Sequence, residues 1–333
     1  MRASLLALVQ RHKHSTIIDI SWEGPSMELT DLRAAKAKDD GINWVTAGVM
    51  MAFHALAIVA LFFFTWKALF IALYLWWLSA SVGIGMCYHR LLTHRGYKIP
   101  KWLEYTLTVF ATLALEGGPI FWVSTHRIHH KYSDHEGDPH SPIDGTWWAH
   151  MGWILVGKSM HHDTSTLARY VPDLAKDRFY VWITKYHYVP LIVLGVVLLV
   201  FGGWSVMLWG IFLRTVVGLQ TTWLVNSATH SWGTRRYVTR DLSTNSLWVA
   251  LLTWGEGWHN NHHAHPTSVR HGLTWYEIDF NWYGIWLLKT FGLAKNLRVA
   301  SLRTVETGEK PAEDSPASGI VPATPQVQPN LSS

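Results

Sequence analysis

Cysteine is nearly absent: Cys87 is the one example in 333 residues. No intramolecular disulfide can form, and cysteine-ligated zinc or iron–sulfur sites are excluded. Charge is also scarce. Charged residues make up 15% of the chain, against about 25% in an ordinary soluble domain. No glycine-rich phosphate loop occurs, and the basic residues lack the clustering of a nucleic-acid binder. No signal peptide is visible, because residues 1–40 are polar and mixed in charge.

What the chain does have is apolar surface and indole. Hydrophobic residues are 49% of it, and there are 21 tryptophans. Tryptophan favours the membrane–water boundary, where an apolar ring carries a wetted N–H. The formal net charge of +5 reads as a basic cytoplasmic rim, and fits a docking surface for an acidic partner or anionic head groups.

Four apolar runs are long enough to cross a bilayer, which takes about 20 residues. They cover about 44–64, 68–88, 181–201 and 204–226, the last two separated by Gly202-Gly203. The run at 102–121 carries Glu104 and Glu116, ends at Gly117-Gly118-Pro119, and reads as a helix lying at the interface. Arg214 falls mid-span and should face protein or a polar cavity. Short amphipathic helices are predicted around 243–254 and 281–294. The expected fold is an all-α integral membrane protein of four transmembrane helices in two hairpins, with a cytoplasmic helical cap from 89–180 and 227–300. Residues 1–40 form a polar leader, 41–300 the membrane domain, and 304–333 a Pro/Ser/Ala/Gln-rich tail expected to be disordered. Lys and Arg concentrate in the leader and the two cap regions. The positive-inside rule therefore puts both termini and every histidine cluster in the cytoplasm.

Those clusters carry the chemistry. They read His89-Arg-Leu-Leu-Thr-His94, His126-Arg-Ile-His129-His130, Asn226-Ser-Ala-Thr-His230 and His259-Asn-Asn-His262-His263, offering nine imidazoles and one amide. Residues at i, i+3 and i+4 share one helix face, so each His-x-x-His-His triplet aims three rings into one space. His89 and His94 are five apart and would splay by about 140° on an ideal helix. The second span is therefore expected to fray or bend there. Nine rings exceed the needs of one ion and suit two. Imidazole accepts iron, zinc, copper or nickel. Neutral ligands leave the cations' charge uncompensated, so carboxylates should orient the rings from behind, with Asp134, Asp138 and Glu256 as candidates. His135, His140, His150, His265 and His271 lie near the clusters without the spacing. His12, His14, His54, His161, His162 and His187 read as ordinary surface or hydrogen-bonding residues. Trp122, Trp147, Trp148, Trp153, Trp223, Trp254 and Trp258 flank the clusters as candidate walls of an apolar tunnel or as interface anchors.

In these residues the chain resembles the membrane fatty-acyl desaturases of the Δ9, or stearoyl-type, family. His89-Arg-Leu-Leu-Thr-His94-Arg95-Gly-Tyr97, Thr125-His126-Arg-Ile-His129-His130-Lys-Tyr-Ser133-Asp134, Trp223-Leu-Val-Asn226-Ser-Ala-Thr-His230 and Gly255-Glu256-Gly257-Trp258-His259-Asn-Asn261-His262-His263 match its boxes in order. Asp138-Pro139-His140 and His150-Met-Gly-Trp153 follow the family order, and the likeness runs from about 70 to 285. Ile143-Asp144-Gly145-Thr146-Trp147-Trp148 replaces the arginine and Gly-Phe pair of many animal members and resembles the bacterial, cyanobacterial and plant branches. The acyl carrier, coenzyme A or lipid, stays open.

The resemblance implies oxygen-dependent insertion of a cis double bond into a saturated fatty-acyl chain at Δ9. It implies two iron ions held by His89, His94, His126, His129, His130, His230, His259, His262 and His263, with Asn226 holding a water and O2 as co-substrate. Zinc is expected to substitute in recombinant protein. It also implies a separate electron donor, a ferredoxin or haem-b cytochrome, and a bacterial inner membrane in preference to the endoplasmic reticulum. Two other readings compete. A fatty-acid or alkane hydroxylase shares such boxes and the same oxidant, but the Asn226 to His230 element and the Gly255-Glu256-Gly257-Trp258 before the last box favour desaturation. A metal transporter or sensor would hold its ligands within the membrane at broken helices.

Overall fold

The computed structural model describes residues 41–156 and 167–300. The leader at 1–40 and the tail at 304–333 lie outside the described residues, as do His12, His14, His161 and His162. The regular elements of the described residues are all helices, joined by loops, with isolated bridges such as Lys98–Lys295 and no strand.

Helix α1, Trp44–Leu61, starts where the Asn43 side chain accepts from the Thr46 amide at 3.1 Å. A short turn follows, and Thr65 caps α2, Trp66–Trp76. Helix α2 runs on into a π-helical stretch, Trp77–Thr93, giving a largely apolar helix of 28 residues without a break. Inside a bilayer a continuous helix is what keeps every backbone polar group satisfied.

Further along come α3, Lys101–Thr112, and α4, Pro119–Tyr132. After short helical turns at 142–144, 148–152, 153–155 and 172–175, α5 covers Arg178–Lys185. Helix α6, Val189–Met207, continues through a π-helical segment, Leu208–Leu213, into α7, Arg214–Ser227. The cap is completed by α8, Leu247–Leu252, α9, His259–Ala264, and α10, Phe280–Thr290.

Among the described residues three helices are long and apolar enough to cross a membrane: Trp44–Leu61, Trp66–Thr93 and the 42-residue Val189–His230. At about 1.5 Å per residue the last would reach about 63 Å if straight, roughly twice the hydrocarbon thickness. It is not straight. Gly203 sits at φ 75°, ψ −178°, a non-helical conformation inside the run. Just past it, Ser205 Oγ donates to the Phe63 carbonyl at 2.6 Å and Trp209 Nε1 to the Ala60 carbonyl at 2.7 Å. The Gly203 bend is thus hydrogen-bonded to the turn between α1 and α2. The expected start near 181 is displaced: residues 178–185 form the separate helix α5, and the long run begins at Val189.

Helix α3 has 12 residues, too few to cross. It packs along the π-helical stretch because Gly83 has no side chain. A Cβ there would meet the Ala111 backbone at 2.5 Å. Leu115 (φ 61°) and Gly117 (φ 97°) then turn the chain into α4. Arg214 is buried, donating through Nε to the Gly210 carbonyl and through Nη1 to Ser79 Oγ and the Leu113 carbonyl. It therefore faces protein and ties α7 to the π-helical stretch and the end of α3, as a cation in an apolar bundle must. Outward faces of α1 and α6, such as Val45, Ile58, Val193 and Val200, are exposed and apolar.

Positive φ with extended ψ is a region open almost only to glycine. Gly203→Ala should therefore destabilise the fold by about 1–3 kcal/mol, read as a lower unfolding midpoint in detergent. An unchanged midpoint would show that the bend tolerates a side chain.

Candidate metal centre

Each histidine-bearing segment ends an apolar helix or opens a short one. The π-helical stretch delivers His89, and α4 carries His126, His129 and His130 on successive turns. Helix α7 ends in a 3-10 turn, Ala228–His230, and α9 carries His259, His262 and His263. The predicted fraying at His89 does not occur. π winding bonds residue i to i+5, and the His94 amide donates to the His89 carbonyl at 3.1 Å. The two rings consequently meet, centroids 4.9 Å apart.

The nine imidazoles gather into two groups. His89, His94, His126, His130 and His262 form one, and His129, His230, His259 and His263 the other; within each group the ligand atoms lie within 4.8 Å of one another. The groups adjoin, with the His130 and His263 rings stacked at 4.5 Å. In the first, His262 Nε2 lies 3.1 Å from His89 Nε2 and 2.9 Å from His130 Nε2, which is 3.1 Å from His126 Nε2. In the second, His259 Nε2 lies 2.9 Å from His230 Nε2 and 3.0 Å from His263 Nε2.

Carboxylates fix which nitrogen faces inward. His89 Nδ1 donates to Glu256 at 2.6 Å, His129 Nδ1 to Asp138 at 3.0 Å, His230 Nδ1 to Asp134 at 2.7 Å and His263 Nδ1 to Asp241 at 2.7 Å. An ionised carboxylate only accepts, so Nδ1 carries the hydrogen and a neutral ring presents its Nε2 lone pair to the group. Six of the rings are held neutral. Burial, then neighbouring imidazoles, push His94, His126, His130, His259 and His262 well below the ordinary histidine value. Burial takes His263 down to about 4. His129 is the exception: burial opposes its charge, but Asp138 holds it above the ordinary value.

This arrangement fits metal ions. His259 Nε2 has one hydrogen at most to share between the lone pairs of His230 and His263. His94 Nε2 is buried without a partner. Lone pairs converging at such distances repel unless a cation sits among them, and neutral imidazole is the state that binds one. The all-imidazole donor set suits several transition metals.

Behind the rings lies a support that sequence spacing only partly revealed. Asp134, Asp138 and Glu256 anchor three rings. Asp241 was missed, since it shares no helix with His263 and meets it only in the folded chain. Arg90 was missed too, although it follows His89 directly. Its buried guanidinium donates to Glu256 at 2.9 Å and to Asp279 at 2.9 Å. His271 and His140 lie against the two groups: His271 beside Glu256 and His262, His140 beside Asp138 and His129. His150 turns away, bonding Ser227 and Gln220, and His54 bonds the Met50 carbonyl and Gln220.

A cleft opens at His126. Its walls include Met50, Phe121, Trp122, Trp153, Leu219, Trp223 and Asn226. Trp122 stacks on His126 with ring centroids 5.1 Å apart. The Trp122 indole donates to Glu116 at 2.9 Å, and Thr222 Oγ1 donates to the other Glu116 oxygen at 2.9 Å. Three of the seven candidate tryptophans therefore line the cleft. Trp147 is exposed, Trp254 packs edge-on against Trp76, and Trp258 Nε1 donates to the Ile278 carbonyl. Glu116 escaped notice as a wall residue because its sequence neighbours are apolar. Burial pushes its pKa up to about 7, against the pull of Trp122 and Thr222.

Apolar helices that end in two histidine groups, beside an apolar cleft, define a membrane oxidoreductase of the histidine-box kind. The chain belongs to the fatty acid desaturase family, whose model matches residues 71–287. It is 48% identical over 261 residues to the sn-1 stearoyl-lipid 9-desaturase of Anabaena variabilis, covering 78% of this chain and 95% of that protein. It is 45% identical to the sn-2 palmitoyl-lipid 9-desaturase of Nostoc sp. (strain 36), covering 77% of this chain and 90% of the relative. The icosanoyl-CoA 5-desaturase of Limnanthes douglasii is 44% identical, with 76% of this chain and 71% of the relative covered.

Two outcomes follow from this geometry. Asp241 Oδ1 already accepts from Thr239 and Ser243, so Asp241→Asn keeps its oxygen there and turns an amide donor toward His263 Nδ1; metal binding should weaken by about 10–100-fold, measured by chelator competition. Glu116 binds a proton in the folded chain that the unfolded chain releases near 4.5. Its contribution to stability should fall as pH rises from 4.5 to about 7. Melting curves of Glu116→Gln should lose that slope, and an unchanged slope would contradict the assignment.

Proposed function

We propose that this chain is an O2-dependent acyl-lipid desaturase that inserts a cis double bond at Δ9, using two iron ions held by the nine histidines. The observation that carries the reading is the pair of imidazole groups at the end of an apolar cleft, with His126 both a member of the first group and a wall of the cleft. The lipid carrier and the 9-position rest on the names of the cyanobacterial relatives. The family supplies iron and O2, and the imidazole donor set is compatible with iron. Four crossings, the long third run folding back at Gly203, would put both hairpin turns on one face and the histidines on the other. The excess of Lys and Arg on the histidine side favours the cytoplasm.

Iron bound in the two groups, reduced by two external electrons, supplies the O2-derived oxidant needed to take hydrogen from an unactivated methylene. The chain's own residues do the rest. Met50, Leu219, Trp153 and Trp223 exclude water and hold a saturated chain with one C–C bond beside His126. Glu116 and Thr222 fix the Trp122 indole against His126, so the wall of the cleft cannot shift relative to the ligands. Asn226, on the same cleft as His126, would hold a water. Glu256, Asp138, Asp134 and Asp241 keep four rings in the ligating tautomer. With a single cysteine the chain has no electron-transfer cluster of its own, and a ferredoxin or haem-b cytochrome is the expected donor.

Expression in a host that lacks unsaturated lipids tests the reading. Wild-type protein should yield a mono-unsaturated chain with its double bond at C9, found in glycerolipid. His262→Ala should yield none while still inserting in the membrane. A hydroxylated product, or retained activity in the variant, would refute the proposal.

A further inference from the structure

Charge is partitioned unevenly between the interior and the surface. Asp134, Asp138, Asp241 and Glu256 face histidine rings, while Asp173, Glu277 and Asp279 face arginines. Among the described residues only Glu136 and Asp144 are exposed carboxylates. The exposed cations are left largely unbalanced, and one set is gathered by the backbone. Lys98 and Lys295 exchange both amide–carbonyl bonds at 2.9 Å, and the Arg298 amide donates to the Gly96 carbonyl at 2.8 Å. Residues about two hundred apart in sequence thus place Lys98, Lys295 and Arg298 side by side, all exposed. Lys289 stands at the same end of α10. None of the four has a carboxylate partner among the described residues.

The surface next to these cations is apolar. Trp102, at the start of α3, is 62% exposed, and Trp286 and Phe291, at the end of α10, are 53% and 71% exposed. Both helices flank the 66–93 span. Thr108 on α3 contacts Cys87 at 3.6 Å, and Gly284 on α10 faces Met86. At the other end of α10, Phe280 packs on Trp254, which packs on Trp76, deep in the same span. Helix α10 therefore climbs beside the span from the level of Trp76 and ends at the basic cluster. Exposed aromatic rings beside exposed lysines match the profile of the lipid headgroup region.

We infer that Lys98, Lys289, Lys295 and Arg298, with Trp102 and Phe291 beneath them, form a binding site for anionic phospholipid headgroups of the leaflet on the histidine side. Each cation near a charged leaflet attracts it, and the aromatic residues bury beside the acyl chains. An acidic protein would meet the same cations, but it would have to displace the bilayer from Trp102, Trp286 and Phe291. The site is separate from the cleft, and it stands whether the acyl carrier is a lipid or coenzyme A.

Native mass spectrometry of the full-length, metal-loaded protein provides the test, after exchange into mixed micelles of phosphatidylglycerol and phosphatidylcholine. Wild type should retain phosphatidylglycerol in preference. The combined Lys98→Gln, Lys295→Gln, Arg298→Gln variant should lose that preference, by about fivefold in affinity for each cation removed. Lys131→Gln, an exposed cation away from the cluster, should leave it unchanged. If the triple variant does not fold, the three single variants are read separately. Equal retention of both lipids by wild type, or unchanged preference in the variants, would overturn the site. So would variants that lose an acidic electron carrier while keeping their phosphatidylglycerol, since the partner would then be a protein.

Discussion

Lone pairs that face one another across about 3 Å are the constraint on which this structure turns. Four carboxylates hold hydrogens on the outer nitrogens of His89, His129, His230 and His263, so that each of these rings, when neutral, has its inner nitrogen left to accept. Burial keeps most of the remaining rings from escaping the conflict by protonation. What relieves it is positive charge placed among them. The helices, the turns at Leu115 and Gly117 and the buried Arg90 can all be seen as means of holding that arrangement against its own repulsion.

Much of this was legible in the sequence, and the reason is periodicity. The two His-x-x-His-His triplets sit on real helices, α4 and α9, so a rule about one helix face located six rings. Apolar length located the first two long apolar helices to within a few residues. Where the rule assumed ideal α geometry it misled: His89 and His94 looked splayed, whereas π winding brings residues five apart together. Contacts between distant segments left no local signal. Asp241 and His263 are 22 residues apart and on different elements, and nothing in their spacing announces the pair. Glu116 looked like a defect in an apolar run and proves to be a hydrogen-bonded part of the cleft wall. Gly202-Gly203 did mark a break, but the apolar run continues through it, and the pair of glycines alone could not say how sharply it turns.

The same economy shapes the outer surface. A chain with few charges has turned most of its described carboxylates inward, onto rings and guanidinium groups. That choice both orients the converging ring nitrogens and strips the exterior of negative charge. The basic rim is thus a by-product of building the centre, and α3 and α10 place part of it at the level of the lipid headgroups. Structural and peripheral chemistry are coupled here through the distribution of a small number of acids.

Anomalous diffraction from crystals of iron-loaded protein tests the central claim most directly. Two peaks per chain at the iron edge are predicted, one enclosed by His89, His94, His126, His130 and His262 and the other by His129, His230, His259 and His263. A single peak, or peaks outside these rings, would contradict the account.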